Sequence, residues 1–211
     1  MANHSWLIAL EGVDGAGTST QVPRLAAHLR ERGWAVLTCA QPSGGPLGVV
    51  LRGHLRGGLA LPPAALALAF AADRLMQLDA LILPFLAQPG ARIAICDRYV
   101  LSSLAYQGAW LPLDWVAQVN AYARPADLTC FLRVGQATAA GRRQERGGAA
   151  EAFDGAATQA RVAAAYERAL ASEPKGATVV VDGEADRDQV FAQLTDAIDR
   201  RLEGGRGATP P

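Results

Sequence analysis

The sequence predicts an α/β fold, a five-stranded parallel sheet covered by helices on both faces. Three observations predict it. Short apolar runs are bounded by turn residues, helical periodicity fills the intervals between them, and 211 residues suit a single core. Half the residues are hydrophobic and 19% are charged, a globular mixture that excludes a disordered chain. Twenty basic residues balance twenty acidic ones, so no net field draws the chain to nucleic acid or membrane. Any polyanion must be met by local cations, nearly all of them arginine, since Lys175 is the one lysine.

The elements follow in order. Trp6 to Leu10 reads as a strand running into the glycine-rich turn Gly12 to Gly17. A helix then extends to Arg32, with Val22, Leu25, Ala26 and Leu29 on one face, and Gly33 stops it. Ala35 to Cys39 is a second strand, followed by a Pro- and Gly-rich stretch from Gln41 to Gly48. Helical patterns cover Val49 to Leu55 and Pro63 to Leu86. Arg92 to Cys96, Leu128 to Leu132 and Val179 to Val181 complete the strands, and Asp186 to Leu202 is a closing helix. One domain over residues 1–203 is expected, with an irregular Arg-rich lid at about 141–155 and a disordered tail from Gly204 to Pro211. Cys39, Cys96 and Cys130 are expected to be buried reduced thiols. With no secretion signal or membrane-length apolar run visible, a soluble cytoplasmic protein is expected. His4, His28 and His54 have no evident carboxylate partner and no expected catalytic role.

Gly12-Val13-Asp14-Gly15-Ala16-Gly17-Thr18-Ser19-Thr20 follows a strand and opens a helix, the context that a P-loop needs. Glycines let successive backbone N–H groups converge on phosphate oxygens, and the helix dipole adds to the attraction. Ser19 stands where a P-loop offers a hydroxyl to magnesium. The motif calls for Lys before it, and this chain has Thr18.

Further segments decide the reading. Leu10-Glu11-Gly12-Val13-Asp14-Gly15-Ala16-Gly17, Phe70-Ala71-Ala72-Asp73-Arg74, and Asp97-Arg98-Tyr99 with Ser103, Tyr106 and Gln107 together resemble the thymidylate kinase family. Arg142-Arg143, Arg146-Gly147-Gly148 and Ala165-Tyr166-Glu167 extend the resemblance over nearly the whole chain. It implies a P-loop NTPase-type sheet, usually a homodimer, and transfer of the γ-phosphate of ATP to dTMP with Mg2+.

The resemblance also implies roles. Arg98 grips the acceptor phosphate, a task that suits a planar guanidinium. Phe70 and Arg74, one helical turn apart, stack on thymine and donate to its carbonyl; cytosine offers an amino donor there, which arginine cannot accept. Ser103, Tyr106, Gln107 and Tyr166 belong to the dTMP site. Asp14 faces the sugar hydroxyl or a metal-bound water. Ser19, Asp97 and Glu167 are the expected metal neighbours. Gly15 places the chain in the subgroup whose P-loop has no arginine, where a lid arginine, here Arg142, Arg143 or Arg146, closes over the ATP phosphates. Thr18 keeps open a degenerate, regulatory homologue, and a kinase for dUMP or another acceptor is the other alternative.

Overall fold

Five apolar runs become the strands of the computed structural model, which describes residues 4–147, 153, 155–172 and 178–206. They are β1 (His4–Gly12), β2 (Ala35–Ala40), β3 (Ala91–Asp97), β4 (Leu128–Arg133) and β5 (Thr178–Asp182). Every pairing is parallel, in the order β2-β3-β1-β4-β5. The inner strands are covered on both faces, as near-continuous apolar runs require. Leu7 to Leu10 and Ile93 to Cys96 are at most 1% exposed. Leu7, Ala9, Ala94 and Cys96 pack with Leu78, Ile82 and Leu86 in one cluster, while Ile8, Leu10, Ile93 and Ile95 pack in another with Leu25, Leu29, Leu194 and Ile198.

The helices are α1 (Thr18–Glu31), α2 (Pro46–Leu55), α3 (Pro63–Gln77), α4 (Leu83–Leu86), α5 (Val100–Tyr106), α6 (Leu113–Val119), α7 (Gln136–Arg146), α8 (Ala156–Ser172) and α9 (Arg187–Arg206). The single helix expected from Pro63 to Leu86 is divided by a π turn over Leu78–Ile82. Pro84 follows at once, and a residue without an N–H cannot continue the ordinary ladder.

Four expectations change. The arginine-rich segment is helical through Arg146, with Ala139 only 1% exposed, because one apolar face docks on the glycine-rich loop. Residues 148–152 and 154 of the expected lid lie outside the described residues. At the other end, α9 runs to Arg206, beyond the expected boundary at 203, and 207–211 lie outside the described residues. His28 also acquires a carboxylate: its Nε2 lies 3.2 Å from Asp199 Oδ2, joining α1 to α9. The three cysteines are free thiols, but Cys39 is only half-buried. It pairs in register with Cys96, and their sulfurs are 3.0 Å apart.

In-register pairing brings the carboxyl ends of three strands to one level. Leu10 and Ala40 both pair with Asp97. Chain order reverses around β1 and β3, and open α/β sheets bind ligands at the carboxyl ends of such strands.

Candidate active site

The glycine-rich loop leaves β1 and turns back on itself, with Ala16 N donating to Val13 O at 3.0 Å. Gly15 and Gly17 have φ of 92° and 97°, a region that side chains resist. A Cβ at Gly15 would also lie 2.3 Å from Ala139 O of α7. The approach of α7 therefore excludes any side chain at position 15, arginine included. Thr18, 5% exposed, opens α1 where the motif expects lysine.

Ser19 is exposed on the first turn of α1, and its hydroxyl donates to Asp97 Oδ2 at 2.5 Å. The other carboxylate oxygen, Oδ1, is buried with no partner among the described residues. Glu167 does not join this pair. It lies beyond β4, bridged by Arg133 at 3.0 and 2.8 Å on an exposed surface. Buried Val162 and Tyr166, four residues apart on α8, mark the helix's inner face, and Glu167 lies off it.

Glu11 and Asp14 organise the cradle from opposite environments. Glu11 is fully buried and accepts from Tyr99 N at 2.7 Å, Ser102 N at 3.1 Å and Ser102 Oγ at 2.5 Å. Burial pushes its carboxyl above the ordinary range, against the pull of Ser102 and Arg98. Burial would also raise Asp14, yet Arg98, with help from Tyr106, Gln159 and Arg143, holds it below the ordinary value.

Arg98 is where these groups meet. Its guanidinium bonds Asp14 Oδ1 at 2.7 Å, Gly12 O at 2.5 Å and Tyr166 Oη at 3.1 Å. Its own φ of 68° is left-handed, and its N–H is tied to Leu10 O at 2.9 Å. A strained backbone at a ligand-facing residue persists only where the surroundings over-determine it.

Beside Arg98 opens a cavity of about 270 Å³. Asp14, Phe70, Arg74, Arg98, Ser103, Tyr106 and Gln107 line it. Of the residues expected at the acceptor, Tyr166 alone stands behind the wall, fully buried and bonded to Arg98 and to Gly12 O. Ser103 is engaged internally as well, its Oγ accepting from Arg74 at 2.9 Å. Gln107 Oε1 is buried without a partner among the described residues. Gln41, Arg52, Ser102 and Phe153 also line the cavity and were not singled out by sequence. They come from segments with no motif of their own, so only the fold could assemble them.

The lid arginines diverge. Arg143 Nη1 reaches the cradle, donating to Asp14 O at 2.6 Å. Arg142 turns toward Gly183 O at 2.9 Å and Ala185 O at 3.5 Å. The side chain of Arg146 lies outside the described part of the structure.

A phosphate cradle that opens onto a separate, mononucleotide-sized cavity defines a P-loop kinase acting on a small acceptor; in a P-loop hydrolase, water is the second substrate. The family model for thymidylate kinase matches residues 10–194. A thymidylate kinase from Thermomicrobium roseum is 37% identical over 206 residues, covering 93% of this chain and 97% of its own. A probable thymidylate kinase from Caldivirga maquilingensis is 39% identical over 142 residues, covering 66% and 68%. The structure of a thymidylate kinase from Candida albicans superposes with a TM-score of 0.81 at 24% identity, covering 96% and 95%, which supports the fold. The chain belongs to the thymidylate kinase family.

Proposed function

We propose that this enzyme transfers the γ-phosphate of ATP to dTMP, giving ADP and dTDP. One observation carries the reading: a single cavity holds a cation suited to the acceptor phosphate, Arg98, and a second suited to a base carbonyl, Arg74 beside Phe70. Its size is close to the lower end of small-ligand pockets, about 300 Å³. That is room for one mononucleotide, while the ATP phosphates are left to the adjoining cradle.

Thymidylate kinases in general use ATP and Mg2+. The residues here fit such an ion: a hydroxyl, a carboxylate and the carboxylate's partnerless oxygen are hard donors. Among the described residues no group of three or more His, Cys, Asp or Glu could hold a metal, which suits an ion bound mainly by phosphates and water. Ser19 and Asp97 would hold it, and it would neutralise phosphate charge. The loop amides bind the donor, Arg98 orients the acceptor, and Arg143 is the described lid arginine best placed to approach the transferred group. Phosphoryl transfer asks the protein for alignment and charge neutralisation more than for covalent chemistry.

The reading includes a homodimer. Supporting it, Val49 and Val50 on α2 and Leu68 and Met76 on α3 are 41–60% exposed, and these two helices pack together. Light scattering checks it, a strictly monomeric mass being the adverse result. No described helix is long and apolar enough to cross a membrane. The free thiols support a reducing, cytoplasmic setting.

A coupled assay with ATP, Mg2+ and each deoxynucleoside monophosphate tests the central claim. Turnover of dTMP well above dCMP and dGMP is expected. Equal rates on all, or tight ATP binding with no dTMP turnover, would overturn it.

A further inference from the structure

The two arginines of the acceptor cavity are held in opposite ways. Arg98 has a carboxylate at 2.7 Å. Arg74, only 1% exposed, has no carboxylate within ion-pair distance among the described residues. Its partners are neutral. Nε donates to Gln41 Oε1 at 2.9 Å, Nη2 donates to Tyr99 O at 3.0 Å and Ser103 Oγ at 2.9 Å, and Nη1 donates to Asn120 Oδ1. Burial lowers its guanidinium to about 10, only partly offset by the fields of Tyr99, Glu11, Cys96 and Asp73.

One of the five N–H donors of the Arg74 guanidinium remains. Nε is used, both N–H bonds of Nη2 are used, and Nη1 keeps one N–H beyond that given to Asn120. Arg74 lines the cavity, so Nη1 is the atom with a hydrogen left to offer a ligand. Asn120 does not line the cavity, and at 5% exposure it stands behind the guanidinium. Its own amide is locked, because Nδ2 donates to Val116 O at 2.8 Å and this fixes Oδ1 toward Arg74.

We propose that Asn120 is the positioning residue for base recognition: it fixes the Nη1 end of Arg74 so that the remaining N–H meets the base carbonyl. This rests on the dTMP reading above. A neutral amide suits the task better than a carboxylate. It orients the guanidinium without cancelling the charge that strengthens its hydrogen bond to an uncharged base.

The test is Asn120→Leu, similar in size but without an acceptor, with Asn120→Gln as a second variant that displaces the acceptor by one methylene. Wild type and variants are compared for kcat and KM with dTMP and dCMP, for the KM of ATP, and for thermal stability. The expected result is a rise in the KM of dTMP and a roughly tenfold fall in the dTMP-to-dCMP ratio of kcat/KM, with the KM of ATP unchanged. Asn120→Asp, which keeps an acceptor but loses the bond to Val116 O and adds a charge, should give a ratio between those of Asn120→Leu and the wild type. A purely structural Asn120 would lower stability and scale all activities together, leaving the ratio intact, and that result would overturn the proposal. Should Asn120→Leu not fold, the same ratio in Asn120→Gln decides. A wild type that fails to prefer dTMP overturns the acceptor reading instead, so the two failures are distinguishable.

Discussion

Ser19 Oγ donates to Asp97 Oδ2 at 2.5 Å, joining the first turn of α1 to the end of β3 across 78 residues of sequence. The pair exists because β1 and β3 run parallel in register, with Leu10 opposite Asp97, so the loop after one strand starts level with the acid that ends the other. If it holds magnesium, Ser19→Ala and Asp97→Asn should each reduce turnover by about 10²-fold or more. Both should raise the Mg2+ concentration needed for half-maximal rate. ATP binding measured without Mg2+ should change little. A Mg2+ dependence identical to wild type in both variants would remove this pair from the metal site.

Arg98 combines a functional side chain with a strained backbone, and two substitutions separate them. Arg98→Ala keeps the left-handed strain and Arg98→Gly relieves it, so the glycine variant should be more stable by about 1 kcal/mol. Both should lose turnover alike, since the guanidinium is absent from each. Denaturant melts alongside steady-state rates check this. Retained activity per folded molecule would show that Arg98 serves only its ion pair with Asp14.

Thr18 leaves the cradle without the usual lysine, and Arg143 is the described lid arginine that touches it. Arg143→Ala should lower kcat by about 10²-fold. In a Thr18→Lys background the same change should cost clearly less, because the new lysine supplies charge to the same phosphates. Arg142→Ala, whose partners are Gly183 and Ala185, should cost less than Arg143→Ala in either background. Equal losses for Arg143→Ala in both backgrounds would show that the two positions do not share a role.

Glu11 and Asp14, three residues apart, should titrate with opposite effects on stability. The carboxyl of Glu11 is raised above 4.5 in the fold, so folding favours its protonated form. Relative to Glu11→Gln, the wild type should gain stability as pH falls through that raised value toward 4.5, and stay level below. Asp14 is lowered below 3.8, so its ionised form is favoured. Relative to Asp14→Asn, the wild type should keep its advantage above 3.8 and lose it as pH falls through the lowered value. Denaturant unfolding at a series of pH values reads both. The same sign for the two residues would contradict the environments described.

The sequence by itself determined the parallel sheet and the position of the glycine-rich cradle, through apolar strand runs and a glycine-rich strand-to-helix turn. Arg74 and Arg98 were singled out by the family resemblance of their segments, and both line the cavity. Only the tertiary structure decided partners. Glu167 and Tyr166 are adjacent in sequence, yet Tyr166 bonds Arg98 in the core while Glu167 meets Arg133 at the surface. Arg142 and Arg143 are also adjacent, and one faces the β5–α9 turn while the other faces the cradle. Neighbours on a helix are about 100° apart around its axis, so which of two leads into a site depends on how the helix docks. Here that docking is set by Ala139 against Gly15, a contact between segments more than a hundred residues apart that no local pattern encodes.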